Sequence, residues 1–178
     1  MKFILLLVVS SLAFGCMHAQ SVPPLTGSVT PMEGTGKALE LRLPRHGSNV
    51  IYDLAQDRGH VVLLDVWATW CEPCRIALPM AQDLQKQYGA RGLRVYAISE
   101  DDDPKLIAPF LKELQLTLPV LVDSNNEAAD KTLHVNGLPT SYLVDRKGEV
   151  RHVHNGFNEQ NLQQYQTEIE ALLDERAP

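Results

Sequence analysis

The chain has 178 residues, of which 44% are apolar and 21% charged, so it suits one folded domain with a buried core and short extensions. The formal net charge of −6 argues against a nucleic-acid-binding protein. The acidic residues are scattered except for the run over 100–103, which is more typical of a solvated loop and helix start than of a metal site.

Residues 1–19 predict an export signal, because Lys2 precedes a nearly unbroken apolar run over 3–12 and small residues follow it. The run is too short for a membrane-spanning helix. Cleavage before Cys16, in a segment that looks like a bacterial lipobox, would leave a lipidated cysteine as the new N-terminus. Ordinary signal-peptidase cleavage and an uncleaved anchor are the alternatives. We therefore expect an exported protein in the bacterial periplasm or on the outer face of the cell membrane.

Residues 20–36 are rich in Pro, Gly, Ser and Thr, which predicts a flexible tether ahead of a folded domain over 37–178. The chain has three cysteines, Cys16, Cys71 and Cys74. If the first is lipidated, the domain keeps a single pair. An exported protein with one close cysteine pair is more often a redox protein than a scaffold held by disulfides.

Alternation of leucines with charged residues predicts a strand over 39–43, and 49–55 predicts a second weak strand or turn. The nearly continuous apolar run over 61–67 predicts a central strand that is buried on both faces. The later predicted elements are a helix over 72–88, a strand over 93–99, a helix over 104–115 capped by Asp103, a strand over 118–122, a helix over 125–134, strands over 140–144 and 150–154 joined by a hairpin turn over 146–149, and a helix over 158–174. His152 and His154 share one face of their strand and are expected to face solvent. The order of elements predicts an α/β fold with a mixed sheet and helices on both faces.

The segment Cys71-Glu72-Pro73-Cys74 follows the central strand and opens a predicted helix. Residues at positions i and i+3 share a helix face, so the two thiols can close a disulfide. The helix N-terminus stabilises a thiolate on Cys71, which is predicted to be the exposed nucleophile, and Cys74 is predicted to resolve its mixed disulfides. A zinc site needs two further ligands at suitable spacing, and the chain offers no second cysteine pair.

These residues resemble the thioredoxin superfamily. The resemblance rests on the run Asp65-Val66-Trp67-Ala68-Thr69-Trp70-Cys71-Glu72-Pro73-Cys74 followed by Pro79, and on Gly137-Leu138-Pro139-Thr140 followed by Tyr142-Leu143-Val144-Asp145 and Gly148. The segment over 100–135 is longer than in plain thioredoxin and is similar to that of the TlpA/ResA-like branch of exported thiol-disulfide oxidoreductases. The resemblance covers residues 38–174. It implies a thioredoxin fold with an N-terminal strand extension and a central insertion.

The resemblance also implies site residues. Asp65 matches a buried carboxylate that shuttles the proton of the resolving thiol, although a strand-end Asp can also simply accept a backbone hydrogen bond. Pro139 is expected to be cis and to lie against the dithiol. The backbone of Leu138 and Thr140 is expected to pair with an extended partner segment. Trp70 is expected either to flank the dithiol as an apolar contact surface or to serve in packing.

Glu72 and Pro73 are the candidate residues for tuning the redox potential. A carboxylate between the cysteines opposes thiolate formation by like-charge repulsion and so favours a more reducing pair. Some ResA-like proteins carry a second glutamate three residues after the second cysteine, where this chain has Ala77.

We therefore predict a thiol-disulfide oxidoreductase that needs no cofactor or metal and reduces disulfides of exported partners, with apocytochrome c as one plausible client. It would take electrons from a membrane or periplasmic donor. A dithiol oxidase or isomerase, and a metal or copper chaperone that uses the same dithiol, are the alternatives. A peroxiredoxin-type peroxidase is disfavoured, because Leu64 stands where the Pro of that motif would be.

Overall fold

The computed structural model describes residues 37–158 and 161–176, so the predicted signal over 1–19 and the predicted tether over 20–36 lie outside the described residues. The described chain is built on a five-stranded sheet and a separate two-stranded sheet. Its strands are β1 Arg42–Pro44, β2 Ile51–Asp53, β3 Val61–Trp67, β4 Leu93–Ser99, β5 Val120–Val122, β6 Thr140–Val144 and β7 Val150–Asn155. Its α-helices are α1 Cys74–Tyr88, α2 Ile107–Glu113 and α3 Leu162–Asp174.

The five-stranded sheet has the order β5-β4-β3-β6-β7. Strands β3, β4 and β5 run parallel, and β6 and β7 are antiparallel to their neighbours. This is the mixed sheet expected from an alternation of strands and helices that ends in a hairpin.

Strand β3 lies in the centre of the sheet and is buried along its whole length, as the apolar run predicts. Val62 and Leu64 pack in a core with residues of β1 and β2. Val61 and Leu63 point to the other face and pack in a core with residues of α1 and α3. The sheet is therefore covered on both sides.

The predicted N-terminal strand extension is present but shorter than the interval 39–43. Only residues 42–44 pair with β2, because Leu39 instead donates its N–H to the carbonyl of Gly148 at 2.7 Å. Beyond β1, Arg45 forms an isolated antiparallel bridge with Leu121 and so links this extension to β5.

The first helix begins at Cys74, so its predicted start at residue 72 is wrong. Cys74 and Arg75 donate to carbonyls three residues earlier, and the first bond that spans four residues runs from Ala77 N–H to Pro73 C=O. Cys71 consequently lies in a turn before the helix.

The helix predicted over 104–115 is divided. Asp103 caps it as predicted, accepting from Lys105 N–H at 3.0 Å, but the first turn is a 3₁₀ turn over Pro104–Leu106 that leads into α2. Pro109 lies in the first turn of α2. A backbone N–H at this position would have no intrahelical carbonyl partner, so proline costs the helix no hydrogen bond there.

The central insertion contains a π-helical segment, Ala129–Leu133, instead of the regular helix predicted over 125–134. Asp123 starts it by accepting from the N–H groups of Ala128 and Ala129. His134 ends it in a left-handed conformation with φ of 56°.

The last helix, α3, begins at Leu162, later than the predicted residue 158. None of the helices in the described ranges is long and apolar enough to span a membrane.

Leu172→Ala on α3 is expected to lower the free energy of unfolding by about 2–5 kcal/mol, because it leaves a cavity beneath the sheet. Leu172 is 2% exposed, whereas Leu162 on the same helix is 37% exposed. Leu162→Ala is the matched control and should cost clearly less. Urea unfolding followed by circular dichroism measures both, and equal losses would contradict this placement of α3.

Candidate active site

Cys71 and Cys74 form a disulfide with an S–S distance of 2.01 Å and a Cα–Cα distance of 5.3 Å. Cys71 follows the end of β3, and Cys74 is the first residue of α1. The expectation of an exposed Cys71 is wrong for this disulfide form, because the residue is 4% exposed and Cys74 is 0% exposed. Both cysteines pack in one core cluster with Trp67 and Phe110, beside Leu138. The dithiol thus lies in an apolar setting just beneath the surface.

Asp101 anchors the loop that carries Cys71. Its carboxylate accepts from the Thr69 backbone N–H at 3.1 Å, from the Thr69 hydroxyl at 2.6 Å and from the Ser99 hydroxyl at 2.9 Å. The acidic run over 100–103 was expected to be solvated, but Asp101 is buried. The sequence offers no local signal for this role, since it joins segments 32 residues apart.

The start of α1 is tied to α2 by Arg75. Its guanidinium lies 5.2 Å from the ring centroid of Phe110 and forms a salt bridge with Glu113. Ile76, which directly follows Arg75 in α1, is exposed. These contacts fix the helix whose first residue is the second cysteine.

The Leu138–Pro139 peptide bond is cis, as the resemblance to the thioredoxin superfamily implies. Leu138 is half-buried and packs against the cluster that holds the cysteines. Thr140 is buried within β6, between Val66 of β3 and Asn155 of β7. Of the two residues expected to pair with a partner segment, Leu138 is therefore the one that lies outside the sheet.

Trp70 directly precedes the first cysteine and is 70% exposed, so it is not a packing residue of the core. Glu72 and Pro73, between the cysteines, are exposed as well. Ala77, at the position where some ResA-like proteins carry a glutamate, is buried. The residues next to the two cysteines in the chain thus expose a large aromatic ring and the Glu72 carboxylate.

Asp65 of β3 is 2% exposed. Its Oδ1 accepts a hydrogen bond from the Ser141 hydroxyl at 2.7 Å, and its Oδ2 has no hydrogen-bond partner among the described residues. Burial raises the pKa of this carboxyl to about 7, and the bond from Ser141 opposes that rise. The side chain can therefore exchange a proton near neutral pH.

Further polar residues, which the sequence did not indicate as site residues, extend from Asp65 toward α3. Tyr165 donates to the Ser141 hydroxyl at 2.9 Å, and its ring stacks on His154 at 4.2 Å between centroids. His154 contacts Glu168 at 2.7 Å and is buried, so the expectation that it faces solvent is wrong. Strand register explains the arrangement, because Asp65 is opposite Ser141 and Ser141 is opposite His154.

His152 lies on the same face of β7 as His154 and is half-buried. Its Nδ1 is 3.5 Å from the carboxylate of Glu168. Within the described ranges, no group of three or more His, Cys, Asp or Glu side chains could hold a metal ion.

Comparison with known proteins places this site in a family. The sequence model of the AhpC/TSA family matches residues 35–153. A protein named thiol-disulfide oxidoreductase ResA from Oceanobacillus iheyensis is 35% identical over 103 residues, which are 58% of this chain and 53% of the relative. A ResA from Bacillus thuringiensis is 31% identical over 118 residues, which are 66% of this chain and 68% of the relative. The chain thus spans about half the length of the Oceanobacillus relative.

Among solved structures, a Chlorobium tepidum protein assigned as a thiol:disulfide interchange protein DsbE matches with a TM-score of 0.72 and 34% identity. The match covers 77% of this chain and 95% of that protein. A thioredoxin-like protein named SPOA0173 matches with a TM-score of 0.70 and 26% identity, over 80% of this chain and 99% of that protein. The thioredoxin-like fold is therefore confirmed.

Asp65→Asn is expected to stabilise the disulfide form at pH 8 and to have little effect near pH 4. The folded-state pKa of Asp65 is about 7, well above its ordinary value of 3.8. A raised pKa of this kind means that the native state is disfavoured progressively as pH rises from about 4 to above 7, with a total of about 4 kcal/mol. The amide cannot ionise and escapes this loss. Urea unfolding of both proteins across that pH range measures the effect.

Asp123→Asn serves as the control for this prediction. Asp123 is also buried, but its carboxylate accepts from two backbone N–H groups. Its replacement is expected to destabilise the protein at pH 8. A destabilised Asp65→Asn protein at pH 8 would contradict the pKa assigned to Asp65.

Proposed function

The chain belongs to the AhpC/TSA family, and we propose that it is a thiol-disulfide oxidoreductase that reduces disulfides of exported partner proteins. The observation that carries the proposal is the Cys71–Cys74 disulfide, held beside Leu138 and the cis-proline loop. The names of relatives that are 31–35% identical support the same chemistry.

The reaction needs only the two thiols of the reduced protein. The Cys71 thiolate attacks one sulfur of a client disulfide and forms a mixed disulfide, while the other client sulfur leaves as a thiolate. Cys74 then loses its proton and attacks the Cys71 sulfur. This step releases the second client sulfur, which also takes up a proton. Two electrons have passed to the client, and the Cys71–Cys74 disulfide must be reduced again by a dithiol donor.

Cys71 is assigned as the attacking residue because it lies before the helix and beside the exposed Trp70. Cys74 is completely buried at the helix start, which suits a thiol that only has to reach its neighbour. A resolving thiol in such a place cannot hand its proton directly to water. Asp65, buried on the same domain and able to exchange a proton near pH 7, is proposed as the acceptor.

An extended client segment is proposed to bind across the dithiol. Its apolar side chains would contact the ring of Trp70, and its backbone would pair with Leu138, which lies outside the strands. Thr140 would act indirectly, because its hydroxyl donates to the carbonyl of Gly137 at 2.7 Å and so holds the loop before the cis bond. Main-chain pairing gives such a site tolerance for different clients.

Reduction is the favoured direction, because the exposed Glu72 carboxylate between the cysteines opposes formation of a thiolate beside it. Pro73, the other residue between the cysteines, remains a candidate for tuning the potential. The export signal predicted over 1–19 supports an activity outside the cytoplasm, and lipidation of Cys16 would be one means of attachment. The resemblance implies apocytochrome c as one client class and a membrane or periplasmic protein as the electron donor.

The test is to trap the mixed disulfide. The Cys74→Ala protein is expected to accumulate a covalent adduct with insulin, used as a model disulfide protein, because no thiol remains to resolve it. The matched Cys71→Ala protein should accumulate about tenfold less, since its remaining thiol is fully buried. Non-reducing electrophoresis and mass spectrometry identify the joined residues. Absence of an adduct on Cys71 would overturn the proposed activity.

The direction of electron flow is tested separately by equilibrating the wild-type protein with glutathione. A reductase should have a potential below about −200 mV, whereas a value near about −120 mV would favour the oxidase. Glu72→Gln is expected to raise the potential by about 10–20 mV, because only one solvent-exposed charge is lost. Glu40→Gln, which changes an exposed carboxylate ahead of β1, is the control and should change the potential less. A lower potential in Glu72→Gln would contradict the assigned effect of this carboxylate.

A further inference from the structure

Among the described residues, only one of the two carboxyl oxygens of Asp65 accepts a hydrogen bond. The single hydrogen bond to its carboxyl among the described residues comes from Ser141 to Oδ1, and Oδ2 is buried without a partner. Ionisation of this buried carboxyl is costly, because a single neutral hydrogen bond meets its charge. The two oxygens of this carboxyl are therefore not equivalent.

The hydrogen atom of Ser141 is itself directed. Because Tyr165 donates its hydroxyl hydrogen to Ser141 Oγ at 2.9 Å, the serine oxygen acts as acceptor on that side and its own hydrogen points to Asp65 Oδ1 at 2.7 Å. All three side chains are at most 5% exposed. The chain of two hydrogen bonds thus has one direction, from tyrosine to serine to carboxyl.

The tyrosine is fixed in turn by β7. Its ring stacks on His154 with an interplanar angle of 27°, and His154 is bonded to Glu168, which lies on α3 with Tyr165. His154 thus covers one face of the tyrosine ring, and the residue as a whole is buried. Its hydroxyl therefore has a defined position relative to β6.

We propose that Ser141 and Tyr165 are positioning residues for the Asp65 carboxyl, which hold Oδ1 as a hydrogen-bond acceptor and leave Oδ2 as the oxygen that takes up and returns the proton of Cys74. The inference rests on the proposed function, in which Asp65 accepts that proton. Neither residue touches the reacting sulfur atoms. In the transfer, the S–H bond of Cys74 breaks, an O–H bond forms on Oδ2, and the hydrogen bond to Oδ1 is kept in both states of the carboxyl.

In the disulfide form, the titratable side chains on the elements around Asp65 are Tyr165 and Glu168 on α3 and His154 on β7. Ser141→Ala removes the one hydrogen bond that stabilises the ionised carboxylate. It should therefore raise the pKa at which Asp65 titrates by about one unit. Tyr165→Phe keeps the ring and frees the serine hydrogen, so it should raise the pKa by about half as much.

The test is a carbon-13 NMR titration of the Asp65 carboxyl carbon in the wild-type protein and the two variants, all in the disulfide form. Tyr88→Phe is the control, because it removes another tyrosine hydroxyl, bonded to Glu170 on α3 at 2.8 Å, that has no link to Asp65. It should leave the titration unchanged. An unshifted titration in both Ser141→Ala and Tyr165→Phe would overturn the inference, and a shift equal to theirs in Tyr88→Phe would reduce it to a general effect of packing.

The pH profile of insulin reduction separates this inference from the proposed function. If Asp65→Asn abolishes the dependence of the rate on an ionisation near pH 7, and the two positioning variants move that ionisation upward with the NMR titration, both are supported. If Asp65→Asn leaves the profile unchanged, Asp65 is not the proton acceptor, whatever the NMR result. If Asp65→Asn abolishes the dependence and the positioning variants leave it in place, only the positioning role fails.

Discussion

Burial of β3 on both faces is the constraint on which the site depends. Its polar backbone groups cannot reach water, so β4 and β6 must pair with it along its length. Asp65 is part of this strand and is buried with it, while the strand ends directly before the loop that carries Cys71. The same strand thus carries an acid–base group in an apolar interior and leads to a disulfide near the surface.

Four carboxyl side chains are buried in the described ranges: Asp65, Asp101, Asp123 and Asp145. The last three accept hydrogen bonds from backbone N–H groups and hold loops in place. Asp65 accepts none from the backbone and keeps one oxygen without a partner among the described residues. A carboxyl that stabilises no loop, and that disfavours the native state once it ionises, is better explained by proton exchange than by structure.

The parts of the fold that could be predicted from the sequence are those determined by local pattern. The strands predicted over 61–67 and 93–99 match β3 and β4 residue for residue. Cys71, Cys74 and the cis Pro139 follow from short motifs. Helix starts were less predictable, because the disulfide turn before α1 and the π-helical segment at Ala129–Leu133 depend on individual hydrogen bonds.

Contacts between distant segments explain what the sequence did not indicate. The bonds of Asp101 to Thr69 and of Tyr165 to Ser141 join residues 32 and 24 positions apart, and they follow from sheet register and helix packing. The burial of His154 has the same origin, since α3 covers that end of β7 through Glu168. A helix with an ordinary amphipathic pattern therefore contributes Tyr165 to the polar contacts that reach Asp65.

The residue at position 77 is the reason that the hydrogen bonds reaching Asp65 matter for the proposed function. It is buried on α1, three residues after the second cysteine, and a methyl group there can neither accept a proton nor donate a hydrogen bond. Some ResA-like proteins have a carboxylate at this position. Among the buried carboxyls of the described ranges, Asp65 alone accepts no hydrogen bond from a backbone N–H group. Because the proposed proton exchange rests on this one carboxyl, the geometry of its two oxygens matters more than it would in a site with two carboxyls. The hydrogen bonds from Ser141 of β6 and, through it, from Tyr165 of α3 determine that geometry, so the proposed function involves α3 as well as α1.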